Sequence, residues 1–379
     1  MRIRQNYDRI REHLIESNGS YIPSDYWKIE SDSFHYMWNA SDEILERIRD
    51  HTHWISGVRS YDYKEHHIHN SKSTRFQLEE LRRRNHSLEV HGEPGVLGDF
   101  GFKFDSQMFN IDTLKFHESI LALSLSGNLT RLRNMQRPVI CEIGAGWGGF
   151  AAMFLAHVPH AQYVVVDLDA TLLFSGVYLP ECFPDKKFGY FGSQDFVGDE
   201  DIIFISAHQF DNWVPNRIDL AVNLVSFQEM TDSQVRNYSE QLLKKKTLVA
   251  YSHNKQKSRN NVEITSVNSH FNTWPAAYKQ EVLDWDYSGA LENAGLIMAL
   301  RKNSLLSKVI KATIFTLRRL PIKAYTVGNK VLKLILKPAL YNYLMSRVNR
   351  NYTPDRYTHY FFYSDLEISN TGVHANDRH

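Results

Sequence analysis

The sequence has little that would suit a disulfide scaffold, a nucleic-acid binder or a membrane span. Its 379 residues include two cysteines, Cys141 and Cys182, which excludes a disulfide framework and a CxxC zinc site and favours a reducing compartment. The net charge of +1 argues against a dedicated nucleic-acid-binding protein. No run of about 18 uncharged apolar residues occurs, so no membrane-spanning helix is predicted. The N-terminal stretch lacks the apolar core of a signal peptide, and we therefore expect a cytoplasmic protein.

What the sequence does have is enough apolar material for a sizeable core, in three parts of different composition. Apolar residues make up 42% of the chain. Residues 1–110 are polar, aromatic and rich in histidine, with helical periodicity. Residues 111–300 alternate strand-like runs with helical patterns, which predicts an α/β fold with a parallel sheet; the runs are RPVICEI, AQYVVVDL, DIIFIS, IDLAVNLV and TLVAYSH. Residues 301–379 form a C-terminal part that begins with a basic, helical stretch.

A glycine-rich segment follows the first of these strands. In RPVICEIGAGWGGFAAMFLA the order is strand, glycine turn and helix. The backbone N–H groups of Gly144 to Gly148 are therefore predicted to lie at a helix N-terminus, where no Cβ blocks a ligand. The segment is predicted to be the seat of a nucleotide-like ligand, the alternative being a turn that only packs a helix on a sheet.

Two ligand classes fit this seat. Gly144, Gly146 and Gly149 satisfy GxGxxG, and Asp167 ends the next strand, where it could bind a ribose diol, so NAD is one candidate. The segment from Glu142 to Gly148 also has the ExGxGxG form of S-adenosylmethionine sites. A carboxylate beside the glycines suits S-adenosylmethionine better, because this ligand carries an ammonium and a sulfonium and has no pyrophosphate to repel.

Three segments together resemble the sugar O-methyltransferase family. They are EIGAGWGGFAAMF, YVVVDLDATLLFSGVYL and NLVSFQEMTDSQVRNY, and the resemblance covers about residues 93–300. It implies a class I (Rossmann-like) methyltransferase fold and transfer of a methyl group from S-adenosylmethionine to a sugar hydroxyl. One departure is the pair Asp169-Ala170, where the family has Pro-Glu or a similar pair.

The same resemblance implies a set of cofactor contacts. The loop from Ala207 to Gln209 should lie beside the adenine. The residues expected at the cofactor are Glu142, Gly144, Ala145, Gly146, Gly148, Asp167, Leu168, His208 and Asn223. Trp147 could cover the methionine end or pack on a neighbouring strand.

A methyl acceptor needs a group that removes its proton, and two residues are candidates for it. His253 ends the TLVAYSHN strand and has an ordinary pKa suited to proton transfer, although it could instead hydrogen-bond its own loop. Glu229 opens the helix after NLVSF and could be a base, a metal ligand or a first-turn acid that complements the helix dipole. A divalent metal is compatible with this chemistry, but no metal ligand set is predicted.

Residues 1–110 contain a cluster of histidines and many aromatic residues. The histidines His51, His53, His66, His67 and His69 match no zinc-binding spacing, so solvated or substrate-facing histidines are favoured over metal ligands. Sugar rings stack on aromatic faces, so this region could be a lid over a carbohydrate acceptor, or the core of a small helical domain. The aromatic residues are Tyr21, Tyr26, Trp27, Phe34, Tyr36, Trp38, Trp54, Tyr61 and Tyr63.

The stretch between Arg301 and Pro354 carries 12 Lys or Arg residues and no Asp or Glu. Its cations alternate with Leu, Ile, Val and Phe, which indicates helices at 301–350 that lie on an anionic membrane surface at the cytoplasmic face or bind a lipid-linked glycan. The alternative is that these helices pack on the catalytic part. Two other functions stay open for the whole chain, namely a non-catalytic methyltransferase-like binding module and an NAD-dependent oxidoreductase.

Overall fold

The computed structural model describes residues 2–17, 21–64, 68–84, 88–258, 261–280, 282 and 357–366. The basic stretch 301–350 lies outside these residues. The described helices are α1 (Arg2–Ser17), α2 (Asp25–Ser33), α3 (Asp42–Glu46), α4 (Ile48–His51), α5 (His53–Ser56), α6 (Ile68–Arg84), α7 (Ile111–Leu125), α8 (Asn128–Arg133), α9 (Gly149–His157), α10 (Asp169–Cys182) and α11 (Asp232–Lys244). Short 3₁₀ turns lie at His35–Asn39, Ser60–Tyr63, Ala207–Asn212, Phe227–Glu229 and Val267–Phe271.

The strands form one large sheet and a separate hairpin. They are β1 (Phe102–Phe104), β2 (Gln107–Phe109), β3 (Val139–Ile143), β4 (Gln162–Asp167), β5 (Phe188–Tyr190), β6 (Ile202–Ser206), β7 (Leu220–Leu224), β8 (Val249–Asn254), β9 (Ala276–Gln280) and β10 (Thr358–Tyr363). The large sheet has the order β5-β6-β4-β3-β7-β8-β10-β9, and β1 pairs with β2. Neighbours are parallel from β5 through β8, and β10 is antiparallel to both β8 and β9. The predicted α/β fold with a mainly parallel sheet is confirmed.

Helices cover both faces of the sheet because its central strands are apolar on both sides. Alternate residues of β4 take part in two different cores: Tyr163 and Val165 pack in one, and Val164 and Val166 in the other. The first core includes side chains from α1, α7, α9 and α10. The second includes side chains from α11 and from the turns that flank it. Successive side chains along the strand therefore point to opposite faces of the sheet.

The N-terminal helices pack on this sheet domain. Helices α1 and α10 approach closely at Gly176 of α10. A Cβ atom added to Gly176 would lie 2.0 Å from the Cδ1 atom of Ile10 in α1. Arg49 of α4 is fully buried and pairs with Glu93 and, at 3.2 Å, with Asp112 at the start of α7. These contacts join residues of the predicted first region to the sheet domain.

The end of the chain also contributes to the sheet. The sequence-based division at residue 300 places everything beyond it in a C-terminal extension, but β10 lies between β8 and β9. The sheet therefore continues past the predicted boundary. The strand was missed because its partners β8 and β9 lie far from it in the sequence, so no local pattern indicates the pairing. Within the described residues, no helix has the length and apolar character needed to cross a membrane.

Candidate functional site

A cavity of about 620 Å³ lies at the carboxyl ends of the parallel strands, where open α/β sheets place their ligands. One half is lined by the sheet domain, with residues of the glycine turn and of the ends of β4 and β7. The other half is lined by residues between 21 and 30 and between 53 and 59. Its volume is in the range of small-molecule sites.

The glycine turn between β3 and α9 adopts a backbone that side chains rarely allow. Gly144 has a φ of 71° and Gly146 a φ of 59°. A Cβ on Gly144 would lie 2.0 Å from the Ser226 Oγ atom, so glycine is required by contact as well as by conformation. The Gly144 N–H donates to the Val166 carbonyl at 2.8 Å, which holds the turn against β4. Gly144, Ala145 and Gly146 all line the cavity.

Asp167 links the end of β4 to this turn. Its Oδ2 atom accepts a hydrogen bond from the Gly146 N–H at 2.7 Å, and its Oδ1 atom accepts one from the Leu168 N–H at 2.7 Å. Burial raises the pKa of Asp167 to about 7. Asp167 and Leu168 both line the cavity, and each carboxylate oxygen keeps a further lone pair for a ligand hydroxyl.

Glu142 is a buried acid at the end of β3 that reaches the same cavity. Its Oε2 atom accepts a hydrogen bond from the Tyr163 hydroxyl at 2.8 Å. Burial raises the pKa of Glu142 to about 8, against the effect of the Tyr163 hydrogen bond. A cationic ligand in the cavity would favour the ionised carboxylate, so this position is suited to bind positive charge.

The structure gives three of the predicted cofactor residues other surroundings. Asn223 does not line the cavity: its amide donates to the Ile143 carbonyl at 2.7 Å and accepts from the Phe227 N–H at 2.9 Å, so it ties β7 to β3. His208 also lies outside the lining, with its Nδ1 atom 3.8 Å from the Asp169 Oδ1 atom, while its neighbour Ala207 lines the cavity. Gly148 is the N-cap residue of α9, with a φ of 87°, and does not line the cavity.

His253, which the sequence suggests as a base, does not line the cavity. It is fully buried on β8, and its Nδ1 atom lies 2.8 Å from the Ser119 Oγ atom of α7. Burial lowers the pKa of His253 well below its usual range, and the nearby His359 adds to this. The alternation of side chains along β8 turns His253 toward α7 and away from the cavity.

Glu229 is the predicted catalytic residue that does line the cavity. The 3₁₀ turn Phe227–Glu229 carries it to the edge of the sheet, where Ser24 Oγ donates to its backbone carbonyl at 2.6 Å. Burial raises the pKa of Glu229 to about 8; Lys115 acts to lower it and Glu30 to raise it. A carboxyl with a pKa near neutrality, in contact with the cavity, has the properties of a general base.

Several residues around Glu229 were not predicted from the sequence. They are Glu30, Lys115 and Tyr357, which line the cavity together with Tyr26 and Trp27 of the predicted aromatic lid. Lys115 Nζ lies 3.2 Å from the Asp112 Oδ1 atom, one helical turn earlier, so it is held at the start of α7. Helical spacing from Asp112 could have indicated that pair, whereas Tyr357 enters from a distant part of the chain and has no local signal.

The histidine cluster is only partly described. His53 lines the cavity, and His51 Nδ1 lies 2.7 Å from the Tyr36 hydroxyl. His66 and His67 lie outside the described residues, and so does the side chain of His69. Among the side chains that are described, the groups with metal-ligand geometry do not include His51 or His53.

Trp147 joins the glycine turn to the N-terminal helices. The Arg49 guanidinium carbon lies 3.9 Å from the centre of a Trp147 ring, and the Trp147 and Tyr178 rings pack edge to face at 4.9 Å. Trp147 is only 2% exposed. Its main role in this structure is therefore to pack the turn against α4 and α10.

No protein family model matches the chain, and no curated protein matches its sequence. Solved structures that resemble it include human N-acetylserotonin methyltransferase in complex with S-adenosylmethionine, at 11% identity over 56% of this chain and 65% of that one, with a TM-score of 0.28. Phosphoethanolamine N-methyltransferase 2 of Haemonchus contortus, in complex with S-adenosylhomocysteine, is 11% identical over 64% of this chain and 51% of that one, with a TM-score of 0.32. A sarcosine dimethylglycine methyltransferase candidate from Galdieria sulphuraria is 12% identical over 78% of this chain and 99% of that one, with a TM-score of 0.35.

These similarities are weak, and the names of the three proteins imply different acceptors. The chain spans about half the length of the Haemonchus contortus enzyme, 51%. The comparisons give no support to a sugar acceptor in particular. The residues of the cavity are therefore the basis for the function of this chain.

Proposed function

We propose that the protein is a methyltransferase that uses S-adenosylmethionine. The observation that carries the proposal is the grouping of Glu142, the glycine turn and Asp167 at one half of a cavity. Asp167 is placed to accept hydrogen bonds from a ribose, and the bare backbone of Gly144 and Gly146 allows close approach of the ligand. Glu142 supplies negative charge for a cationic ligand.

NAD fits this half less well. Its pyrophosphate would lie at the glycine turn, where Glu142 reaches the cavity as a buried acid. Two phosphates there would keep Glu142 in its neutral form, so the acid would contribute no charge attraction to NAD. S-adenosylmethionine places an ammonium and a sulfonium there instead, so the same acid favours its binding.

The other half of the cavity has the groups that a methyl acceptor needs. S-adenosylmethionine bound here would supply an electrophilic methyl group on its sulfonium. Glu229 would accept the proton of the acceptor hydroxyl as the oxygen forms its bond to the methyl carbon, while the methyl–sulfur bond would break and S-adenosylhomocysteine would leave. Tyr26, Trp27 and the N-terminal residues around them would orient the acceptor and limit the access of water.

We propose a sugar hydroxyl as the acceptor. Trp27, Trp54 and Tyr357 line the cavity, and the apolar C–H faces of a sugar can stack on aromatic rings of this kind. The carboxylates of Glu30 and Glu229 can accept hydrogen bonds from sugar hydroxyls. This interpretation agrees with the family resemblance of the sequence.

An amine is the second candidate acceptor. Carboxylates and aromatic rings both attract cations. The two carboxylates and the aromatic side chains that line this half of the cavity therefore also suit a positively charged acceptor. The product distinguishes the two candidates, because the methyl group would be on oxygen in one case and on nitrogen in the other.

The test is incubation of the full chain with methyl-labelled S-adenosylmethionine and a panel of sugars, nucleotide sugars, glycans and amines. Label in a sugar, located on oxygen by mass spectrometry, is the expected result. Label in an amine only would replace the sugar acceptor. Binding of S-adenosylmethionine with no transfer to any acceptor would favour a non-catalytic binding module, and reduction of NAD by an alcohol would overturn the methyltransferase assignment.

We also propose that the basic stretch 301–350 contacts an anionic membrane at its cytoplasmic surface. The proposal rests on sequence alone: this stretch lacks acidic residues, and each cation near an anionic leaflet contributes about 1 kcal/mol. The full chain should sediment with anionic vesicles and not with neutral ones, and high salt should release it. Equal sedimentation with both lipids would contradict this.

A further inference from the structure

Two histidines and a glutamate meet in the core, outside the cavity. Glu118 of α7, His253 of β8 and His359 of β10 are 2%, 0% and 4% exposed. None of the three lines the cavity. We call them the histidine–glutamate cluster.

Sheet pairing brings the two histidines together. His359 and His253 are Cα partners in the antiparallel pair of β10 and β8, so their side chains lie on the same face. The two imidazole ring centres are 4.0 Å apart. Helix α7 covers that face and places Glu118 beside both rings. Each residue of the cluster therefore comes from a different secondary-structure element.

The three side chains are close enough to one another to share a metal ion. One ligand atom from each residue lies within 4.8 Å of the other two. The Glu118 Oε1 and His359 Nε2 atoms are 3.1 Å apart. Two ligands bound at about 2.0 to 2.2 Å on a tetrahedral zinc ion lie about 3.3 to 3.5 Å from each other, so this pair needs only a small adjustment to share an ion.

The other nitrogen of each imidazole is held by a hydroxyl. His253 Nδ1 lies 2.8 Å from Ser119 Oγ, and His359 Nδ1 lies 2.7 Å from the Tyr251 hydroxyl. Such outer hydrogen bonds fix ring orientation and tautomer at metal sites. For His359, this bond leaves Nε2 directed at Glu118, as a metal ligand would be.

We propose that Glu118, His253 and His359 bind a divalent transition-metal ion of the zinc type. Two imidazoles and one carboxylate form a ligand set for zinc and its neighbours in the first transition series, whereas Mg²⁺ and Ca²⁺ prefer oxygen ligands. A dication would also compensate the charge of a carboxylate buried in the core. Three protein ligands leave one coordination position for water.

The ion would fasten β10 to β8 and α7. Tyr357, which lines the cavity, lies immediately before β10, and its ring centre is 5.6 Å from that of His253. The metal would thus hold the strand that positions one wall of the cavity, without entering the cavity itself. This role does not depend on the proposed methyl transfer.

The test is metal analysis of the full chain, expressed without a histidine tag in zinc-supplemented medium. About one equivalent of zinc should remain after dialysis, and the metal-free protein should take up about one equivalent of Co²⁺ with the visible spectrum of a four-coordinate site. A chelator should lower the melting temperature by about 5 °C or more.

The variants Glu118→Gln and His359→Asn should lose the metal and the effect of the chelator. His157→Asn is the matched control, because His157 is also a buried histidine, 6% exposed, and lies outside the cluster. It should keep the metal. If a cluster variant fails to fold, the Co²⁺ titration of the unaltered protein decides. No zinc and no Co²⁺ uptake in the unaltered protein would overturn the proposal, and so would equal metal content in the cluster variants and the parent.

Discussion

At the scale of single residues, the charge state of Glu142 is the feature with the clearest consequence. Burial raises its pKa to about 8, so much of the ligand-free protein carries a neutral Glu142 near pH 7. A cationic ligand binds best to the ionised form, and binding therefore releases a proton from the neutral form. Affinity for S-adenosylmethionine should depend on pH through this group.

We predict that the affinity for S-adenosylmethionine rises between about pH 6 and pH 8, by up to about tenfold per pH unit below the pKa, and levels off above it. Glu142→Gln should bind more weakly at high pH and show a smaller pH dependence, because the variant lacks this titration. Calorimetric titration across the pH range measures both effects. A Gln variant with the same pH profile as the parent would show that Glu142 does not meet the cation.

The same group affects stability with the opposite sign. In the unfolded chain Glu142 has its ordinary pKa of 4.5, and in the folded chain its pKa is about 8. The unfolded state therefore loses this proton first as the pH rises. The contribution of Glu142 to the free energy of unfolding is fully present below pH 4.5 and is lost as the pH rises to about 8.

Glu229 is the residue on which the proposed proton transfer depends. Glu229→Gln keeps the shape of the side chain and removes its basicity, so turnover should fall by about 10²- to 10⁴-fold while the affinity for S-adenosylmethionine changes little. Glu240→Gln, at an exposed position of α11, is the control and should leave turnover unchanged. Steady-state kinetics and calorimetry decide. Full turnover in Glu229→Gln would exclude Glu229 as the base.

At the scale of elements, the glycine turn can be tested by one added methyl group. Gly144→Ala would place a Cβ 2.0 Å from Ser226 Oγ at a φ of 71°, whereas Gly127→Ala has a similar φ of 78° and meets nothing within 4 Å. Gly127→Ala should lower the free energy of unfolding by about 1 to 2 kcal/mol, from backbone conformation alone. Gly144→Ala should lower it further and should also weaken ligand binding. Equal effects in the two variants would show that the turn has room for a side chain.

The elements that could be predicted from the sequence are those with a local signal. The runs that became β3, β4, β6, β7 and β8 are apolar and bounded by turns, and the glycines between β3 and α9 indicated the ligand seat. Strand β10 could not be placed, because its pairing with β8 and β9 is made across a long stretch of chain. Glu142, predicted from its spacing to the glycines, and Asp167, predicted from its place at the end of the next strand, both line the cavity.

His253 lies outside the cavity for a reason that the sequence does not reveal. All six residues of β8 are buried, so hydrophobic periodicity does not reveal which side chains face α7 and which face the opposite layer. Side chains alternate along a strand, and a residue at the correct end can therefore lie on the wrong face. Glu229 and Lys115 reach the cavity from a turn and a helix whose positions depend on the packing of the whole domain.

At the scale of the whole molecule, the N-terminal helices complete the site. Residues between 21 and 30 and between 53 and 59 line one half of the cavity, and Arg49 connects their helices to the sheet domain through Glu93, Asp112 and Trp147. That these residues act as a lid over an acceptor stays a prediction; the structure shows that they line the same cavity as the glycine turn.

We predict that Arg49→Met lowers the free energy of unfolding by about 3 to 5 kcal/mol, because it leaves Glu93 and Asp112 buried without their cation. Arg47→Met is the control: its side chain is 71% exposed and pairs with Asp50, so its effect should be below about 1 kcal/mol. Urea denaturation followed by circular dichroism measures both values. Similar values for the two variants would mean that the buried pair does not join the N-terminal helices to the sheet.

The most direct test of the central claim is calorimetric titration of the full chain with S-adenosylmethionine, S-adenosylhomocysteine and NAD. S-adenosylmethionine and S-adenosylhomocysteine should bind at one site and compete with each other, and NAD should not bind. Asp167→Ala should weaken S-adenosylmethionine by about 5- to 150-fold, which corresponds to about 1 to 3 kcal/mol for a hydrogen bond to a charged group. Binding of NAD in preference to S-adenosylmethionine, or an affinity for S-adenosylmethionine that Asp167→Ala leaves unchanged, would contradict the account.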